Sequence, residues 1–152
     1  MMKIYSPAFN AKDSIPSKYT CQGQNISFPL KWEGIPDDAK TLAIIFDDPD
    51  APGMTWIHWV IYNIPASLSG LPENIPPKEV LPDLGLQGTN SWRKIGYGGP
   101  CPPSGTHRYF TKLYALDNPL PVKAGLSKKA LLDTMQGSIL EETQMYGTYK
   151  KN

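Results

Sequence analysis

Apolar positions fall in short blocks, most of them bounded by proline or glycine. Residues 41–46 (TLAIIF) and 59–64 (WVIYNI) are continuous apolar runs of strand length, a pattern that predicts central strands covered on both faces. A third run carries Tyr109, Phe110, Leu113, Tyr114 and Leu116 and is rich in strand formers. Leu30 and Trp32 alternate with polar neighbours, as in a short half-buried strand, and shorter strand-like pieces lie around Ile4 and Ile15, broken by Pro7 and Pro16. Only one segment has helical spacing. Ser127 is a good N-cap, and Leu131, Met135 and Ile139, with Leu132 and Leu140, form a stripe of about 3.6-residue period that Gly137 interrupts. Residues 65–88 hold five prolines among scattered leucines without a period, which predicts a long ordered loop too apolar to be left in water.

Composition sharpens this picture. Pro is 16 of 152 residues, about twice its usual share, and with 13 Gly it argues for many short segments and against a helical bundle. The length suits one domain spanning residues 1–152. Fifteen Lys and Arg stand against 14 Asp and Glu, so no global field draws in nucleic acid. No segment approaches the roughly 18 consecutive apolar residues of a membrane span, and the N-terminus has no apolar run of signal-peptide length. The expectation is a cytoplasmic protein with no transmembrane segment.

Compartment in turn sets the expectation for the two cysteines, Cys21 and Cys101: reduced thiols in a cytosolic chain. A disulfide is the alternative, decided by a Cα separation that sequence does not supply. Zinc bound by both Cys and both His has no CxxC or HxxxH grouping to support it, so neither a metal nor another cofactor is expected.

Candidate chemistry concentrates in two loops. The apolar run ending at Phe46 passes into Asp47, Asp48 and Asp50, turns through Pro49, Ala51, Pro52 and Gly53, and re-enters a strand beside His58. The second loop carries Gly96, Gly98, Gly99, Pro100, Pro102 and Pro103 and leads into His107 and Tyr109. These are the chain's only two histidines, and each stands where a structured loop meets a strand. If the loops meet at one end of a sheet, Asp48, Asp50, His58, His107 and the amides around Gly98 and Gly99 converge. A carboxylate beside an imidazole favours its protonated form, and Gly-rich backbone supplies N–H donors, which together describe a small anion pocket. Asp beside Pro also closes tight turns with no ligand, and His107 beside Arg108 can be a satisfied, partly buried residue. The four tryptophans, Trp32, Trp56, Trp59 and Trp92, read as core or pocket wall rather than as platforms for bases.

DPDAP, HW at the start of a strand, GTNSWRKIGYGGPCPPSGTHRYFTKLYALD, YTCQGQNISFPLKWEGIP and LLDTMQGSILEETQMYGTYKK occur in an order that resembles the phosphatidylethanolamine-binding protein family, in its bacterial and archaeal Raf kinase inhibitor-like branch. The resemblance spans essentially the whole chain. It implies a mainly β fold of two antiparallel Greek-key sheets, with a C-terminal helix and one or two short peripheral helices. It also implies a ligand pocket built from Asp48, His58, Gly99, Pro100 and His107, with Asp50, Pro52 and Tyr109 as neighbours, and homodimer contacts involving residues 65–88. Three positions depart from the family pattern: Thr55 stands where eukaryotic members carry Glu, Phe28–Pro29 where a proline pair is usual, and Ser138 where a His is usual.

Catalysis finds little support. Ser104 and His107 lie three apart without a GxSxG elbow, and Cys101 is flanked by two prolines that offer no amides. The expected function is a non-catalytic binding protein taking phosphate, a phospholipid head group or an acetate-like carboxylate, and modulating a protein partner. The alternative is a protein-level inhibitor of a kinase or protease acting through exposed loops; a hydrolase ranks third.

Overall fold

A computed structural model describes residues Met1–Asn152. In chain order the strands are β1 (Lys3–Tyr5), β2 (Leu30–Glu33), β3 (Thr41–Asp48), β4 (Trp56–Pro65), β5 (Gly70–Leu71), β6 (Val80–Leu81), β7 (Gly85–Gln87), β8 (His107–Leu116) and β9 (Ile139–Tyr149). One helix, α1 (Lys128–Met135), and one 3-10 turn at Ser17–Tyr19 complete the regular structure. No helix is long and apolar enough to cross a membrane.

Two antiparallel sheets result, with orders β1-β2-β5 and β6-β7-β4-β3-β8-β9. Within the larger sheet β8 returns beside β3, giving the order β7-β4-β3-β8, which is a Greek key. The apolar runs of the sequence sit at its centre. All eight residues of β3 are buried because both faces of the sheet are covered.

The main core lies between the sheets. Phe28 is its hub, meeting Phe9, Tyr19, Phe46 and Tyr97 edge to face. A smaller core on the other face joins Ala43, Ile45, Val60 and Tyr62 to Leu131 and Met135 of α1. Ser127 caps that helix by accepting a hydrogen bond from the Ala130 amide.

Three expectations are corrected. The helical stripe does not continue to Leu140: α1 ends at Met135, Gly137 turns the chain at φ +83°, and Ile139 and Leu140 open β9 instead. Pairing of β9 along almost the whole of β8 outweighs the 3.6 period there. Residues 65–88 are not without regular structure, since β5, β6 and β7 form within them; Gln87 pins the stretch by donating from Nε2 to the carbonyls of Pro76 and Lys78, both at 2.8 Å.

The cysteines, expected as thiols, form a disulfide between Cys21 and Cys101, with Cα atoms 5.5 Å apart. Two loops distant in sequence are laid side by side. Cys21 N–H donates to Pro100 O (3.1 Å), Gly99 N–H to Asn25 Oδ1 (2.9 Å) and Tyr97 Oη–H to Tyr19 O (2.7 Å). Spatial proximity overrules the argument from compartment.

Candidate functional site

Strand β3 ends in two acids, and its period of two sends them to opposite faces. Asp47 lies under α1, where Oδ2 accepts from Lys128 Nζ (2.6 Å) and Lys112 Nζ (3.3 Å). Asp48 points to the other face, at the edge of the main core. Its Oδ1 accepts from the Asp50 amide (2.8 Å), closing the DPD turn, while Oδ2 accepts from His107 Nδ1–H (2.7 Å). The same carboxylate therefore performs the turn chemistry and orients an imidazole.

Strand β8 alternates cleanly, so His107 and Tyr109 share the face that Asp48 occupies. His58 arrives by a different route. In the β3–β4 register Phe46 faces Trp59 and Asp47 faces Ile57, leaving His58 as the extra residue of a bulge. This re-aims the side chain so that His58, like Trp59, faces the main core, where its ring meets Phe46, Trp92 and Tyr109 edge on. Gly98 fixes the ring: its amide donates to His58 O (2.9 Å), and its carbonyl accepts from His58 Nδ1–H (2.7 Å).

The result is a cavity of about 430 Å³ with a polar floor of Asp48, His58, His107 and Tyr109. Met54, Trp56, Trp92, Pro52, Pro102 and Cys101 contribute to its apolar wall. Met54 and Trp92 remain 58% and 40% exposed, which makes the mouth apolar. No Lys or Arg lines the cavity.

The electrostatics differ from the expected anion pocket. Burial holds the His58 pKa down at about 4, against the opposing effects of the Gly98 carbonyl and Asp48, so His58 is neutral at pH 7 rather than protonated. With Nδ1–H committed to Gly98, its Nε2 is a lone pair. The Tyr109 hydroxyl is buried beside the Asp48 carboxylate and the Cys101 backbone, and burial followed by the charge of Asp48 raises its pKa. Neither histidine Nε2 is engaged by the protein.

Five of the eight residues singled out from the sequence line this cavity: Asp48, Pro52, His58, His107 and Tyr109. Three do not. Asp50 faces Arg108 in a fork, with Nε–H to Oδ2 at 2.9 Å and Nη2–H to Oδ1 at 2.8 Å, and these bonds hold its pKa down at about 2. Gly99 and Pro100 stand behind the wall, against the Tyr19–Asn25 loop. The expected glycine donors are also already spent, Gly98 N–H on His58 O and Gly99 N–H on Asn25. Sequence reasoning passed over Met54, Pro102 and Cys101 as wall residues, and left Trp56 and Trp92 undecided between core and wall. The proline spacing beside His107 was the available signal. No group of three or more His, Cys, Asp or Glu is arranged to hold a metal ion.

A family model for the phosphatidylethanolamine-binding protein matches residues 5–150, and the chain belongs to that family. It is 52% identical over 150 residues to a UPF0098 protein of Methanothermobacter thermautotrophicus, covering 99% of each chain. It is 42% identical to a UPF0098 protein of Chlamydia muridarum, covering 99% of this chain and all of that one. Among solved structures, a phosphatidylethanolamine-binding protein homologue of Chlamydia trachomatis superposes with a TM-score of 0.92 at 40% identity, covering 99% of this chain and 98% of that one. E. coli YbcL, described as a member of the mammalian family, gives 0.90 at 29% identity with 99% of each chain covered.

Proposed function

We propose that this protein is a non-catalytic binding protein whose cavity takes a small phosphoryl or carboxylate head group. One observation carries the reading: His107, held by Asp48, lines a cavity open to solvent together with His58 and Tyr109. A bound anion stabilises the imidazolium of His107, whose Nε2–H then donates to it. The apolar mouth suits an alkyl or aryl group attached to the head. Neither nucleophile that the sequence raised is offered to the cavity as such: Cys101 is bridged to Cys21, and Ser104 is not among the lining residues.

The test is an NMR titration of the two imidazole rings with phosphate, acetate and phosphoethanolamine, repeated with His107→Ala. Both rings respond in the wild type and binding is lost in the variant. Undiminished binding by His107→Ala would sink the proposal.

A second reading, modulation of a protein partner through exposed loops, is favoured by Met54 and Trp92 at the mouth and by Val80, 61% exposed, on β6. Partner inhibition that survives His107→Ala would support it.

A further inference from the structure

A second cavity, of about 330 Å³, lies on the far side of Trp92 and Cys101, which form a partition between it and the first. Both Cys21 and Cys101 line it, and both residues are exposed, so the disulfide is a solvent-facing part of its wall. Access of a dissolved thiolate to one of the two sulfurs is what thiol–disulfide exchange requires.

The polar side chains around this bridge differ from those of the first cavity. No Asp, Glu or His lines it. Asn90 spends both ends on the chain: Oδ1 accepts from the amides of Trp92 (2.9 Å) and Lys94 (3.1 Å), and Nδ2 donates to Gly96 O (3.0 Å). Tyr97 donates to Tyr19 O (2.7 Å). Asn25 uses only its oxygen, which accepts from Gly99 N–H at 2.9 Å, so its Nδ2 donors are free. Lys94 is exposed and in no ion pair. The side-chain atoms left free beside the disulfide are therefore donors, one of them a full positive charge. Such a wall favours a molecule that brings a carboxylate.

We propose that this cavity is a thiol–disulfide exchange site for small anionic thiols, with a carboxylate held by Lys94 and Asn25 while the sulfur meets the bridge. The incoming thiolate forms a bond to one Sγ, the Cys21–Cys101 bond breaks, and its electron pair leaves on the other Sγ, which takes a proton from water. One disulfide is consumed and one is made, so the step needs no further oxidant or reductant. The reverse reaction, attack of the reduced protein on a small disulfide, passes through the same mixed disulfide. This site is independent of the head-group reading of the first cavity.

The test runs in the reverse direction. Reduced wild-type protein is mixed at low ionic strength with glutathione disulfide, an anion, or with cystamine, a cation, then quenched in acid and resolved by mass spectrometry. Each rate is divided by that of the same disulfide with mercaptoethanol, a neutral thiol, which removes intrinsic reactivity. The normalised rate is roughly fivefold higher with glutathione disulfide, the effect of one lysine charge acting at about 8 Å through water on probes of opposite sign. Lys94→Gln removes most of this preference and Lys94→Glu inverts it. Cys21→Ser and Cys101→Ser cannot re-close the bridge, and at least one of them accumulates the glutathione adduct. A normalised ratio near one, a preference that Lys94→Glu leaves unchanged, or no adduct on either single variant overturns the proposal.

Discussion

Removing the Cys21–Cys101 bridge tests how the two loops behind the cavity are held. The cysteines are separated by 80 residues, so the bridge forbids most of the conformations open to that stretch when the chain unfolds. The loop-closure expression gives roughly 4.5 kcal/mol at 25 °C for a ring of this size. In the folded state little need change on removal, because Cys21 N–H to Pro100 O, Gly99 N–H to Asn25 and Tyr97 to Tyr19 O still tie the loops together. The effect is therefore assigned to the unfolded chain. For a domain of this size each kcal/mol is worth roughly 2–4 °C, so the Cys21→Ser, Cys101→Ser double variant should melt roughly 9–18 °C below the wild type. Calorimetry gives the shift, and wild type reduced with an excess of a dithiol should track the variant. Urea titration supplies an independent signature: the m-value rises, because an uncrosslinked chain exposes more surface. A fall in Tm of less than about 3 °C with an unchanged m-value would refute the reasoning, since the bridge would then not be constraining the denatured chain.

Two further predictions follow from the site. Burial holds the His58 pKa at about 4 in the folded protein, below its ordinary 6.5, so between these pH values the unfolded chain binds more protons. The stability it contributes is complete above 6.5 and is lost as pH falls toward 4; about 2 kcal/mol should disappear by pH 5, read as the difference between wild-type and His58→Gln denaturation profiles, and identical profiles would contradict the assignment. A Cβ at Gly98 would collide with the Trp92 ring, so Gly98→Ala should cost about 1–3 kcal/mol, shift the tryptophan emission and weaken binding of phosphoethanolamine, whereas an unchanged spectrum would show that the wall absorbs the methyl group.

The fold was legible wherever a strand had only one way to bury itself. Residues 42–46 and 59–62 are apolar without interruption, and no exposed element could carry them. The helix was overextended because Leu131 and Met135 continue in phase with Ile139, and sequence does not reveal that β8 needs a partner at that point. Asp48 and His107 stood out because one ends β3 and the other opens β8, each next to turn residues. The protonation of His58 was misjudged for a physical reason: a neighbouring carboxylate was weighed, but desolvation was not, and desolvation depends on Phe46, Trp92 and Tyr109 gathering from three segments. The roles of Gly98 and Gly99 changed likewise. Their amides face inward to His58 and Asn25, and local sequence contains neither partner.

The order in which β3 acquires its neighbours bears on the chain's synthesis. Strand β4 follows at once, but β8, which covers the other side of β3, begins at His107. At roughly 5–20 residues per second, a nascent chain carries β3 with one edge unpaired for several seconds. A largely apolar strand in that condition invites pairing with another chain. Asp47 and Asp48 end the strand with two adjacent negative charges, which keep a second copy away until Lys112 and Lys128 arrive to pair with Asp47 and His107 to bond Asp48. The residues that later anchor the helix and floor the cavity thus begin as gatekeepers against aggregation.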